Sequence, residues 1–241
     1  MRYFIELSYN GKNYHGWQMQ PEAISIQEKL NDAVSKVWQE ELEVVGAGRT
    51  DAGVHAKQMI AHFDAKGVLK KDAVYKLNSI LPDDIVVHKL YEVEDSKHAR
   101  FDAVSRSYEY KIWLGRNPFL LDFSWQIHSQ KFDIHAMNEA AKVMLKYKDF
   151  KCFSKVKTDV YTYNCDIFEA FWELNEKELT FYITANRFLR NMVRAIVGTM
   201  VDVGLHKISV ADFEDIIKSK DRSNAGLSVP AKGLFLTAIK Y

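Results

Sequence analysis

Arg2-Tyr3-Phe4-Ile5-Glu6-Leu7-Ser8-Tyr9 puts Tyr3, Ile5 and Leu7 on one side and Arg2, Phe4 and Glu6 on the other, the period of a strand. Gly11 to Gly16 reads as a loop, and Ser25-Ile26-Gln27-Glu28 as a capping box, a hydroxyl at the cap with a carboxylate three residues on. The helix it opens has Leu30, Ala33, Val34, Val37 and Trp38 on its apolar face. Leu42 to Val45 reads as a short strand running into Gly46-Ala47-Gly48, and Gln58 to Ala65 as another. Asp72 to Ile80 follows as a helix stopped by Pro82, and Ile85 to Val93 as a strand. Strand, helix, strand, strand, helix, strand is the order of a ferredoxin-like split βαβ unit.

The second half repeats the theme loosely. Tyr108 to Leu114 reads as a strand, and Asp133 as the cap of a helix through Leu145. Ile167 to Leu174 and Leu179 to Ala185 form a hairpin about Asn175 to Glu178. A helix from Phe188 to Val203 follows, ended by Gly204 as a C-terminal cap. Ser209 opens another, and Leu234 to Tyr241 reads as a strand. The expected fold class is therefore α+β: two ferredoxin-like halves with mostly antiparallel sheets meeting at a central cleft. The halves are residues 1–100 and 101–241, joined near Ala99 to Ser107.

At 241 residues, 47% hydrophobic and 27% charged, the composition is that of a globular protein. No run of about 18 apolar residues exists, so no membrane span is expected. The N-terminal stretch carries Glu6 inside it and lacks a small-residue cleavage site, which argues against a secretory signal and for the cytoplasm. Cys152 and Cys165 offer neither a disulfide framework nor metal-ligand spacing and read as buried thiols. A net charge of +1 does not announce a nucleic-acid binder. Locally, however, Lys142, Lys146, Lys148, Lys151, Lys155 and Lys157 are interleaved with Tyr147, Phe150 and Phe153. Cations beside stacking rings are what a looped RNA needs; a solvated lysine-rich helix end is the plainer alternative.

Two segments break local rules. In Gly46-Ala47-Gly48-Arg49-Thr50-Asp51-Ala52-Gly53-Val54-His55-Ala56, a strand feeds a glycine-bracketed loop that presents Arg49 and Asp51. Three glycines within eight residues imply close backbone approach or positive φ angles. The spacing is neither a dinucleotide fingerprint nor a phosphate loop. Asp51 could merely close an Asx turn. Of the neighbouring side chains, His55 reads as a structural hydrogen bonder, Trp17 as packing, and no metal site is expected. The second segment is the apolar helix around Met192-Val193-Arg194-Ala195-Ile196-Val197, with Arg187, Arg190 and Arg194 on one face. A guanidinium buried at Arg194 needs an anion, either a phosphate or an acid such as Asp202 or Glu169.

Gly48-Arg49-Thr50-Asp51-Ala52-Gly53-Val54-His55-Ala56 resembles the active-site signature of the TruA family of tRNA pseudouridine synthases. Tyr14-His15-Gly16-Trp17-Gln18, Ser25-Ile26-Gln27-Glu28, His98-Ala99-Arg100-Phe101, Arg106-Ser107-Tyr108-Glu109-Tyr110, Met192-Val193-Arg194 and Lys232-Gly233-Leu234 follow in family order, so the resemblance spans nearly the whole chain. It implies that Asp51 is the catalytic aspartate and that Tyr108 packs on the target base, with a possible late role in removing a proton. It implies that Arg194 pairs with the aspartate and that Arg49 is a cationic neighbour of the site. Arg190, Lys151 and Lys155 are expected to meet the RNA. The family uses no metal and no organic cofactor, forms homodimers that hold each tRNA across both subunits, and acts on uridines 38 to 40 of the anticodon stem-loop.

The chemistry fits this resemblance. Moving a glycosidic bond from N1 to C5 needs a group that accepts charge at C1′ or adds to the base, and one carboxylate can do either. The two-carboxylate layout of a glycosidase lacks its second member here. A cation near Asp51 would keep the carboxylate ionised. A stacked aromatic would offset the few kcal/mol of flipping the uridine out. The competing readings are a catalytically silent RNA-binding protein on the same fold and a small-molecule glycosidase.

Overall fold

A computed structural model describes residues 1–128, 131–156 and 160–241. In chain order the elements are β1 (Arg2–Tyr9), α1 (Ile26–Trp38), β2 (Val45–Gly46), β3 (His55–Asp64), α2 (Ala73–Ile80), β4 (Ile85–Val93), β5 (Ser105–Leu114), β6 (Trp125–Ile127), α3 (Ile134–Met144), β7 (Ile167–Asn175), β8 (Glu178–Ala185), α4 (Met192–Gly204), α5 (Val210–Ser219) and β9 (Leu234–Lys240). The class is α+β, with largely antiparallel strands. The chain divides into two units, Met1–Val104 with Phe235–Tyr241, and Ser105–Leu234. The closing strand thus belongs with the first unit, an allegiance that local sequence does not carry because it rests on pairing with residues far away in the chain.

In the first unit β1 lies between β4 and β3, antiparallel to both. One edge of β3 is shared: β2 pairs antiparallel at Val45↔His62 and Gly46↔Ala61, and β9 pairs parallel at His55↔Phe235 and Ala56↔Leu236. Helix α1 starts where the capping box demands. The Glu28 amide donates to Ser25 Oγ and the Ser25 amide to the Glu28 carboxylate, both at 3.2 Å. Leu30, Ala33, Val34, Val37 and Trp38 are all buried, as their spacing requires. Trp38 packs edge-on to Phe63 at 5.0 Å and lies 5.9 Å from Tyr3, which makes the aromatic centre of this core. Phe4, on the other face of β1, is buried as well, beneath Tyr91 and Tyr241.

In the second unit β8 lies between β5 and β7, antiparallel to both, and β6 runs parallel along the end of β5. Asp133 caps α3 by accepting from the Ala136 amide at 2.9 Å. The β7–β8 hairpin turns at Glu176, whose φ is 54°. Helix α4 is buried nearly all round, as its composition requires, but it begins at Met192 rather than Phe188. Asn191 takes a left-handed φ of 65° and breaks the apolar periodicity that would extend the helix backwards. Gly204 is the last helical residue and keeps a negative φ, so it is no left-handed cap. A Cβ there would lie 2.5 Å from Met137 Sδ; the glycine is needed for packing against α3.

Candidate active site

In the first unit, the loop between β2 and β3 is locked to the loop after β1 by main-chain bonds. The Trp17 amide donates to Thr50 O at 3.1 Å and the Gly53 amide to Tyr14 O at 3.3 Å. Gly16, with φ +92°, passes so near that a Cβ would lie 2.4 Å from Thr50 O, and one on Gly11 would lie 2.0 Å from Val54 O. Gly46 lies against the Trp17 ring, and Gly53 has φ 77°, so two of the three loop glycines are there for the reasons the sequence implied. Gly48 differs: its φ is not positive, and no heavy atom of the described residues lies within 4 Å of where its Cβ would be.

Thr50 is buried and its hydroxyl lies 2.8 Å from that of Tyr9. On either side of Thr50, Arg49 is exposed and Asp51 half-buried. The two amides that an Asx turn at Asp51 would engage are occupied by backbone. Gly53 N–H donates to Tyr14 O, and Val54 N–H to the Asp51 carbonyl at 3.1 Å. His55 is the structural hydrogen bonder its position implied. Its Nδ1 accepts from the Gly11 amide at 3.1 Å, and its ring stacks on Phe235 at 4.7 Å. Trp17 is 2% exposed and serves as packing.

In the second unit, Tyr108 on β5 is half-buried, and Phe188 meets it edge-on at 5.1 Å. Arg190 is exposed, and its carbonyl accepts from the Lys155 amide at 3.1 Å, so the expected RNA contacts Arg190 and Lys155 are brought together. Because Arg187 and Arg190 precede α4, the three arginines do not share a helix face; that expectation fails with the helix start. Arg194 is half-buried and doubly tied to one residue: its Nε donates to Val229 O at 2.7 Å, and its carbonyl accepts from the Val229 amide at 3.2 Å. The Tyr110 hydroxyl holds the next carbonyl, Pro230 O, at 2.8 Å. Burial pushes that phenol well above its ordinary value, with the Arg194 charge pulling against it.

Residues 226–230 thus form a strap over α4, and sequence reasoning missed it. At Gly198 a Cβ would lie 1.8 Å from Leu227 O. A glycine inside a helix, disfavoured by about 1 kcal/mol, was the available signal of that close approach. The strap is pinned again where Ser228 Oγ accepts from Asn191 Nδ2 at 2.5 Å and from Arg222 Nη2 at 3.2 Å.

The lysine-rich segment is corrected in its aromatic half. Phe150 and Phe153 are fully buried, and the Tyr147 hydroxyl donates to Glu214 at 2.5 Å, so these rings serve the core and its edge rather than nucleobases. Lys142 pairs with Glu139 and Lys148 with Asp166. Lys151 lies 5.6 Å from the centre of the Tyr163 ring. Lys157 lies outside the described residues. Cys152 and Cys165 are buried free thiols, their ionisation pushed up by burial to about 12 and about 11.

A family model described as tRNA pseudouridine synthase matches residues 7–102 and 140–241. A Bacteroides fragilis protein named tRNA pseudouridine synthase A is 50% identical over all of this chain and 96% of its own length. Proteins of the same name from Bacteroides thetaiotaomicron, at 48% over all of this chain and 90% of their length, and from a Thermoanaerobacter species, at 42% over 98% of both, are similar throughout.

Proposed function

The chain belongs to the family of tRNA pseudouridine synthases, and from that premise we propose that Asp51 is the nucleophile with which it isomerises uridines 38, 39 and 40 of the anticodon stem-loop. The observation that carries the choice of Asp51 is its half-buried place on a glycine-shaped loop held against the loop after β1, with the Gly53 and Val54 amides donating to main-chain carbonyls.

The reaction balances without water or cofactor. The C1′–N1 bond breaks, C1′–C5 forms, the proton on C5 leaves and N1 gains one. The carboxylate adds either to C1′ or to the base and is released unchanged. Tyr108, half-exposed and steadied by Phe188, is proposed to stack on the flipped uridine and to take the C5 proton late in the reaction. Arg194 is assigned the role of orienting Asp51 and keeping it ionised. The support is a half-buried guanidinium whose Nε is fixed by Val229 O, a planar group suited to a carboxylate. Arg49, Arg190, Lys151 and Lys155 are assigned to the RNA backbone, supported by the exposure of Arg49 and Arg190 and the bond joining Arg190 to Lys155.

The same reading carries a homodimer that acts in the cytoplasm. It takes both units as ferredoxin-like halves, supported by the β4-β1-β3-β2 order in the first and β5-β8-β7 in the second. Incubation with unmodified tRNA carrying uridine at the three positions, followed by pseudouridine mapping, tests the proposal. Wild type is expected to modify them and Asp51→Ala to bind without product. Product from Asp51→Ala refutes the nucleophile, and tRNA binding by wild type without any product returns the silent-binder reading.

A further inference from the structure

A column of rings in the first unit climbs from core to surface. His62 on β3 is buried. The half-buried His98 ring is 4.6 Å from it, and Phe101 follows at 4.2 Å from His98, 74% exposed. The Arg100 guanidinium lies 5.6 Å from the centre of the Phe101 ring.

The column is rigidly set. His98 Nδ1 accepts from the amides of Arg100 at 3.0 Å and Phe101 at 3.3 Å, and so carries no proton while those bonds stand. The turn closes through His98 N–H to Asp102 Oδ2 at 2.8 Å and Asp102 N–H to His98 O at 3.1 Å. His62 Nδ1 accepts from the Ala99 amide at 3.3 Å and anchors the base of the column. An exposed phenylalanine is common in itself. Phe101 is set apart by a preorganised ring beneath it and a cation beside it, the pairing that binds single nucleobases by stacking and cation–π attraction. The acid of the same turn, Asp102, disfavours a site built on phosphate charge and leaves the flat ring as the recognition element.

We propose that Phe101, flanked by Arg100, is a stacking platform for a nucleobase of the bound tRNA other than the reacting uridine. The proposal rests on the tRNA-modifying reading above. The base is a different one because His55, where β3 begins just after the Asp51 loop, is seven residues from His62, about 23 Å along a strand rising roughly 3.3 Å per residue.

Steady-state kinetics with full-length tRNA test it using Phe101→Leu and Phe101→Tyr. Phe101→Leu keeps an apolar side chain but removes the π face. It is expected to raise KM for tRNA about 5- to 100-fold, leave kcat within about twofold, keep the wild-type Tm, and hold the same KM ratio as salt is raised. Phe101→Tyr is expected to retain wild-type KM. A wild-type KM in Phe101→Leu overturns the platform, as does a KM ratio that vanishes with salt. A change in sedimentation mass of Phe101→Leu without tRNA overturns it too, placing the ring at a contact between copies. Failure of the underlying reading is distinguishable, because wild type would then form no pseudouridine at all.

Discussion

The hydroxyls of Tyr9 and Thr50 sit 2.8 Å apart in a buried position, one residue before Asp51. Thr50 is thereby fixed to the end of β1 between an exposed Arg49 and a half-buried Asp51. We expect Thr50→Val, nearly isosteric, to cost about 1 kcal/mol of stability, the typical worth of one such bond. It should lower kcat, since the loop that carries the carboxylate loses its anchor. Urea denaturation and single-turnover rates check both; unchanged kcat would detach the Tyr9–Thr50 bond from catalysis.

Gly16 and Gly48 should answer oppositely to alanine. Gly16 has φ +92°, and a Cβ would be driven into Thr50 O at 2.4 Å. Gly16→Ala is expected to cost at least about 2 kcal/mol, combining left-handed strain with a main-chain clash. At Gly48 a Cβ meets open space, so Gly48→Ala should leave stability within about 0.5 kcal/mol of wild type. Thermal melts of the two variants side by side decide it.

Gly198 acts on Arg194 through the strap. A Cβ 1.8 Å from Leu227 O must lift the main chain that leads to Val229 O, the acceptor for Arg194 Nε. Gly198→Ala should lose Tm by several degrees and, on the role proposed for Arg194, kcat by about 10- to 100-fold. Leu227→Ala, whose side chain is 88% exposed, should change neither, because the strap bears on α4 through its backbone. Arg194→Lys keeps the charge but loses the planar fork and its bond to Val229, and is expected to be nearly as impaired.

Burial, with the nearby Arg2 charge adding to it, lowers the His62 pKa from 6.5 to about 4. Folding therefore favours neutral imidazole. The resulting stability is complete above about pH 6.5 and is lost as pH falls towards 4, by at most about 3 kcal/mol. Denaturation between pH 7 and pH 4 should show wild type losing more stability than His62→Phe; parallel curves would remove His62 from the acid response.

Cys152 and Cys165, pushed up to about 12 and about 11 by burial, hold almost no thiolate at pH 8. Iodoacetamide followed by mass measurement should find both unmodified in the native protein and both alkylated in urea. Rapid native labelling of either would contradict its burial.

What the sequence made legible was local. The alternation of β1, the Ser25–Glu28 capping box and the Asp133 cap are signals that a few residues carry by themselves, and each element formed where it was expected. The strain of the Asp51 loop was visible in its glycines for the same reason. Three things were hidden. The start of α4 was masked because Phe188 and Leu189 continue a helical pattern that one left-handed residue, Asn191, interrupts. Phe150 and Phe153 looked available for stacking because sequence does not say which side of a short segment faces the core. The hold of Val229 on Arg194 joins residues 35 apart, and no local pattern encodes it.

Phe235–Tyr241 is grouped with the first unit, though the whole of the second intervenes in the chain. A ribosome therefore makes the strand that pairs with His55 and Ala56, and the tyrosine whose hydroxyl donates to Ala99 O, only after every residue of the second unit. The half bearing Asp51 is begun before the second unit and completed after it, and a nascent chain halted between the two events would carry the aspartate on an unfinished sheet. Completion of the sheet around the proposed nucleophile therefore waits until the companion unit has been synthesised in full.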